Sequence, residues 1–274
     1  MEPRSKLGAR PSPSSAQGAS DFREFIGACL RASPDPLQLW VPAGSDTTSS
    51  TSADDNARVI TWDATIAARY RTVGSGLFVT FNGSTQYGTS PDAANMSLGN
   101  GATDIPFSIF GWMNLTATTG IKTIAARYDL TTGSTKREFW LYADAAEKLV
   151  FELYDESAAA KIGRTFNTAL PTGVDLFFVA TYSGVATSAG VKLYVFDGTN
   201  AGQVDDTNSQ SGSYTAIEDT AALTYIGASE AAAGTAENNF SGSLGALGIV
   251  KGELSRDEAW ALRHIGNSYY GLVV

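Results

Sequence analysis

The sequence predicts an all-β fold, and three observations predict it. Residues 175–197, DLFFVATYSGVATSAGVKLYVFD, hold two apolar runs around a loop of small residues. In the first, Leu176, Phe178, Ala180 and Tyr182 alternate with Phe177, Val179 and Thr181; in the second, Val191, Leu193 and Val195 alternate with Lys192, Tyr194 and Phe196. A period of two is that of a strand, so the pair reads as an antiparallel hairpin. Second, 28 glycines against nine prolines, among many Ser and Thr, suit many strands joined by turns. Third, alternating runs recur from Leu37 onward, whereas helical spacing is confined to two short stretches. Because both faces of the 175–197 hairpin carry bulk, it is expected in the middle of a sheet, covered on both sides or facing a groove.

Taken in order, residues 1–20 are rich in Pro, Ser, Ala and Gly and carry Arg4, Lys6 and Arg10 against Glu2. Such a composition reads as a solvated, slightly basic arm. Asp21 and Glu24 form a capping box for a short helix whose Phe22, Phe25, Ile26, Cys29 and Leu30 share one face, and Pro34 and Pro36 stop it. That helix packs on its own domain or docks on a neighbouring subunit. A β domain is expected over 37–274, after an arm and helix over 1–36. LQLWV opens it, RVITWDA follows, and GLFVTFNGSTQYGT runs into a turn at Asn82 and Gly83. FSIFGWMNL, at 107–115, is apolar on both faces, and IKTIAARYD leads to a turn at 131–134. After the 175–197 hairpin, DGTNAGQVDDTNSQSGS reads as an acidic, glycine-rich loop, then LTYIGAS and FSGSLGALGIV as strands. Ser255 and Glu258 cap a last helix, with Gly266 as its C-cap, and the apolar ends of NSYYGLVV are expected to rest on something.

The hairpin over 138–154 carries the candidate binding residues. One face holds Phe139, Leu141, Leu149, Phe151 and Leu153, a core set; the other holds Trp140, Tyr142, Val150, Glu152 and Tyr154. Large amphipathic rings beside a carboxylate suit a wet groove or an interface, where the ring stacks and its polar tip stays hydrated. The alternative is that the N-terminal segment or a loop covers them.

The totals exclude several functions. A formal charge of −9 opposes general affinity for nucleic acid, whose phosphates would be repelled. One cysteine, Cys29, rules out an internal disulfide framework. No run approaches the roughly 20 apolar residues that cross a bilayer, and the N-terminus lacks the apolar middle of a signal peptide. Retaining glycan hydrolysis needs two carboxylates about 5 Å apart. Here the nearest set is Glu152, Asp155 and Glu156, and spacing puts Glu152 and Asp155 on opposite strand faces. The one histidine, His264, cannot by itself build a serine triad or a zinc site. No phosphate-cradling or dinucleotide glycine loop is present. The chain therefore reads as a non-enzyme.

The order of these pieces resembles the laminin-G-like, concanavalin-A-like jelly rolls of bacterial and phage proteins. FNGSTQY, FSIFGWMNL, DLFFVATYSG, GVKLYVFDG, LTYIGAS and FSGSLGALGIVKGELSRDE carry the resemblance, over about residues 37–266. It implies a two-sheet antiparallel jelly-roll sandwich with a short helix near the end. It also implies binding of glycans or proteins, often through a rim calcium. Leu176 and Phe177 stand where the family often has Trp-His, and the only loop residues offered to calcium are Asp129, Asp205, Asp206 and Asn239. No other cofactor is expected. An adhesion-type roll with neither signal peptide nor disulfide suggests a virion: a phage capsid decoration or tail-associated subunit, homo-oligomeric and made in the host cytoplasm. Its partners would be other virion proteins, held by Arg4, Lys6, Arg10, Phe22, Phe25 and Ile26. The alternative is a calcium-assisted carbohydrate-binding module with Trp140, Tyr142, Glu152 and Tyr154 as its site, and behind that a glycan hydrolase.

Overall fold

The computed structural model describes residues 36–273, apart from 54–55, 65, 67–68, 117–118, 132, 203–205 and 233. The expected arm and helix, with Arg4, Lys6, Arg10, Phe22, Phe25 and Ile26, lie outside the described residues. Eighteen strands follow in the described chain: β1 (Pro36–Trp40), β2 (Ser49–Thr51), β3 (Val59–Trp62), β4 (Tyr70–Val73), β5 (Gly76–Asn82) and β6 (Gly88–Ser90) come first. Next are β7 (Phe107–Leu115), β8 (Lys122–Asp129), β9 (Lys136–Ala143), β10 (Leu149–Asp155), β11 (Ala160–Phe166) and β12 (Asp175–Tyr182). The last are β13 (Val191–Phe196), β14 (Asp206–Ser211), β15 (Thr224–Ile226), β16 (Ser229–Ala232), β17 (Thr235–Glu237) and β18 (Ser241–Lys251), before helix α1 (Arg256–Tyr270).

Two sheets result. The first runs β13-β12-β7-β18-β5-β4, with β1 beside the second half of β18, where Trp40 faces Leu247. The second runs β14-β11-β10-β9-β8-β15-β6-β3-β2, and the β16–β17 hairpin joins β8. Pairs are antiparallel apart from that junction, where Glu230 meets Asp129 in parallel. Between the sheets lies the main core, in which Phe107, Ile109 and Phe178 of one sheet meet Phe139, Leu141, Phe151 and Leu153 of the other. Alternation works as expected along the regular parts of the strands, where every second residue enters this layer and its neighbours face out.

The outward face of the first sheet is not wet. Phe110, Trp112, Phe177, Val179 and Phe196 form a second apolar cluster with Ala259, Leu262 and Tyr270 of α1. This corrects the placing of the 175–197 hairpin: β13 is an edge strand, not a central one. Bulk on both faces reports cover above and below a strand, here by the core and α1, and says nothing of neighbours in the hydrogen-bonding direction.

Helix α1 starts as its capping box predicts, with Ser255 accepting from the Glu258 N–H and the Glu258 carboxylate accepting from the Ser255 N–H. It runs past Gly266, however, and ends at Gly271, whose φ of 64° is the left-handed value that glycine adopts without strain. Gly266 is needed for space: a Cβ there would overlap the indole of Trp112. Of the tail, Leu272 packs on the second cluster while Val273 is 95% exposed, so the expected cover does not extend to it. The stretch 206–211 is also corrected from loop to strand. As β14 it pairs with β11 over six residues, and its polar composition suits an exposed sheet edge that must not recruit other strands.

Candidate functional site

The outward face of the second sheet carries a third cluster, and it is aromatic. Tyr128 from β8, Trp140 and Tyr142 from β9, Val150 and Tyr154 from β10 and Tyr225 from β15 lie together on it. Register explains the grouping, because Trp140 faces Glu152 across the β9–β10 ladder and Glu152 faces Gly163 on β11. All four candidate residues, Trp140, Tyr142, Glu152 and Tyr154, line one cleft of about 290 Å³. Tyr128, Arg137, Ala159, Ala160, Lys161 and Ser211 complete its lining.

A bulge brings Arg137 to this face. Arg127 pairs with Phe139 and Tyr128 with Arg137, leaving Glu138 as the extra residue on β9. Arg137 then lies over the rings of Tyr154, at 4.7 Å, and Tyr128, at 5.9 Å. Glu138 is turned away and fully buried, 3.0 Å from the equally buried Arg127, which also donates to Asp92 and to the Thr220 carbonyl. Burial pushes the Glu138 carboxyl up to about 7, against the pull of Arg127.

The rings do not form the open stacking platform expected of them. Trp140 packs on both Tyr128, at 4.5 Å, and Tyr142, at 4.3 Å, and its indole N–H donates to the Thr123 hydroxyl at 2.9 Å. Trp140 is 7% exposed, Tyr142 8% and Tyr154 4%. Trp140 is pressed by Tyr142 two residues along β9 and by Tyr128 on the neighbouring strand β8, so the cleft meets mainly the polar edges of the rings. Its chemistry therefore comes from Glu152. That carboxylate accepts from the Tyr154 hydroxyl at 2.6 Å, from Lys161 Nζ at 2.6 Å and from the Ser209 hydroxyl at 3.0 Å. Ser209 reaches it from two strands away because the intervening residue is Gly163; a Cβ there would meet the Phe151 carbonyl and, at 3.1 Å, Glu152 Cγ. Burial, and then the Glu152 charge, push the Tyr142 and Tyr154 hydroxyls well above the usual tyrosine range. Arg137 is paired in turn with Glu156, Nη2 donating to Oε2 at 3.2 Å. Burial works against the Arg137 charge, and Glu156 with Tyr128 outweighs it, so its pKa rises.

The residues offered to calcium are not brought together. Asp129 caps its own turn, accepting from the Thr131 N–H and hydroxyl. Asp206 belongs to strand β14, not a loop, and accepts from Arg164 at 2.8 Å, with the three strands β9, β10 and β11 between it and Asp129. Asn239 is buried after β17, and Asp205 lies outside the described residues. Among the described residues no group of three or more His, Cys, Asp or Glu is arranged to hold a metal ion. His264 is exposed on α1, its ring parallel to that of Trp260 with centroids 5.4 Å apart.

Sequence reasoning missed Tyr128, Arg137, Lys161 and Ser211. Tyr128 stood in a run read as a strand without its face assigned, and Lys161 follows from the β10–β11 hairpin, where it faces Tyr154. Ser211 required β14 to be recognised, and Arg137 required the bulge.

No protein family matches the sequence, and no curated protein matches it either. Solved structures do match in fold. Trypanosoma rangeli sialidase, in complex with a difluoro-nononic acid (2,3-difluoro-KDN), is 11% identical over 93% of this chain and 39% of that one, with a TM-score of 0.53. The binding domain of Paraclostridial Mosquitocidal Protein 1 is 13% identical over 86% of this chain and 52% of that one, with a TM-score of 0.56. Domain 4 of AbnA, a GH43 extracellular arabinanase from Geobacillus stearothermophilus in complex with arabinotriose, is 15% identical over 84% and 98%, with a TM-score of 0.53. The chain spans about two fifths of the length of the sialidase and nearly all of the arabinanase domain. At these identities the likeness is one of fold, a sandwich of two antiparallel sheets.

Proposed function

We propose that this protein is a non-enzymatic carbohydrate-binding β-sandwich whose site is the cleft around Glu152. The observation that carries the reading is the convergence of one buried carboxylate, a lysine, an arginine and four aromatic edges on a 290 Å³ hollow of the second sheet. Hydroxyl-rich ligands need closely spaced donors and acceptors against an apolar wall, and this lining supplies both. A neighbour in fold of nearly the same extent is the arabinanase domain in complex with arabinotriose, which supports the same reading.

Binding suits the cleft better than turnover. Glu152 is the one carboxylate among its lining residues, whereas glycosidases place a second across the scissile bond. Tyr154 is held protonated by burial and by Glu152, the opposite of what an activated nucleophile requires. The anchor of the virion-display reading, residues 1–36, lies almost wholly outside the described residues, and nothing in the fold favours that reading over the glycan one. A glycan array probed with the full chain, then with Lys161→Met, tests the proposal. Binding that disappears in the variant supports it; no glycan bound, or binding untouched by the substitution, overturns it.

A further inference from the structure

Resting on the glycan reading, we infer that the cleft takes a single neutral sugar residue at the end of a glycan, held through two adjacent hydroxyls that bridge Glu152 and Lys161. Size sets the first part. A hollow of about 290 Å³ lies at the small end of ligand pockets, which run from about 300 to 1,000 Å³, and has room for one pyranose or furanose ring with its hydroxyls. A chain running through the site would need a longer trough than this lining describes.

Charge sets the second part. The cations lining the cleft are Arg137 and Lys161, and each already faces a carboxylate, Glu156 and Glu152 respectively. A uronic or sialic acid would bring a third negative charge to a place with no cation to spare, and Glu152, 4% exposed at its side chain, would repel it at low effective dielectric. A neutral sugar has no such conflict.

Hydrogen-bond capacity sets the third. An ionised carboxylate accepts about four hydrogen bonds; Tyr154, Lys161 and Ser209 supply three, and the Tyr142 hydroxyl is a further donor to it, the one that a ligand hydroxyl would displace. Lys161 has three N–H donors, its contact with Glu152 takes one, and its side chain, which lines the cleft, is 32% exposed. An acceptor and a donor thus stand side by side, 2.6 Å apart. Two adjacent sugar hydroxyls, one donating to Glu152 and the other accepting from Lys161, match that pair, and both bonds are charge-assisted. Because the ammonium fills the place beside the carboxylate that a divalent cation would take, the grip needs no calcium.

The test is calorimetric titration of the full chain with methyl glycosides of neutral pentoses and hexoses, their deoxy analogues, and methyl glucuronide and methyl sialoside, each with and without EDTA. The expected result is binding of a neutral glycoside, unchanged by EDTA, and weakened about tenfold or more when either of two adjacent hydroxyls is removed. Glu152→Gln and Lys161→Met, checked for folding by circular dichroism, should weaken it similarly. Preference for an acidic sugar, loss of binding in EDTA, or binding only of internal residues of a chain overturns this inference and leaves the glycan reading standing. Failure of every glycoside, together with a blank glycan array, overturns both. The deoxy series reads the wild-type protein, so the answer does not depend on either variant folding.

Discussion

Replacing Gly266 with alanine tests whether α1 is fixed by close contact with the first sheet. A Cβ at this position would overlap Trp112 at its six-membered ring, with Cη2 at 2.5 Å. Trp112 has nowhere to go: it is fully buried, its ring lies 4.5 Å from Phe177 and 5.5 Å from Tyr270, and its indole N–H donates to Asn267. The helix must therefore lift from the sheet. Overpacking of this kind costs about 1–3 kcal/mol, and so direct an overlap belongs at the upper end. Alanine returns about 1 kcal/mol through its better helix propensity, leaving a net loss of about 2 kcal/mol. At roughly 2–4 °C per kcal/mol for a chain of this size, Tm should fall by about 4–8 °C. Urea unfolding followed by tryptophan fluorescence should show a lower midpoint at unchanged slope. Gly266→Asn separates this from a C-cap role. Asparagine tolerates the left-handed backbone of a cap, but it is bulkier than alanine and should be worse if space is what matters. Gly271→Ala, at the observed cap with φ 64°, should cost about 1 kcal/mol by itself. A neutral Gly266→Ala, or a Gly266→Asn milder than Gly266→Ala, would refute the packing argument.

Three further outcomes follow from buried polar groups. Glu138 has a folded pKa of about 7, above the ordinary carboxylate value, so the native state holds its proton more tightly than the unfolded chain. Its contribution is complete below about pH 4.5 and falls through pH 7, a swing of roughly 3 kcal/mol. Glu138→Gln should remove that slope, and stability curves of the two proteins that stay parallel from pH 4.5 to 7 would show Glu138 to be ionised beside Arg127 throughout. Asp104 accepts from Tyr182, Tyr214 and the Ile217 N–H, tying residues 214–217 to the sandwich. Asp104→Asn should cost about 1–3 kcal/mol and open that segment to proteolysis; unchanged digestion would contradict the tie. Trp140→Phe removes the donor to Thr123 and leaves a buried hydroxyl unmatched, for a loss of about 1–2 kcal/mol by urea unfolding, and an unaltered midpoint would mean that water satisfies Thr123.

How much of the site was legible in the sequence depends on which interactions are local. Strict alternation within β9 and β10 places Trp140, Tyr142, Glu152 and Tyr154 on one face, and a short connection makes those strands neighbours, so the four could be read together. Arg137 could not, because a period of two puts it with Phe139; only the extra residue Glu138 reverses it, and a bulge is a property of two strands in register. The edge strand β14 was hidden for a different reason. Alternation is visible only where one face is buried, and the side chains of 206–211 are all polar. The likeness of Gly266 to a C-cap misled for a third, since a glycine chosen for its missing Cβ and one chosen for positive φ look the same in sequence.

The same distinction bears on the binding surface. Glu152 lies on the central of three paired strands, facing Trp140 on one side and Gly163 on the other. Through that glycine Ser209 completes the carboxylate's shell from β14. Most of the cleft's polar groups sit on strands whose opposite faces are locked into the core, where Phe139, Leu141, Phe151 and Leu153 are fully buried. A site so placed starts with its donors and acceptors already oriented, and gives up little conformational entropy on binding. Its specificity must then come from the fixed spacing of Glu152, Lys161 and the ring edges, because the β-strands that carry them have no hinge with which to adapt.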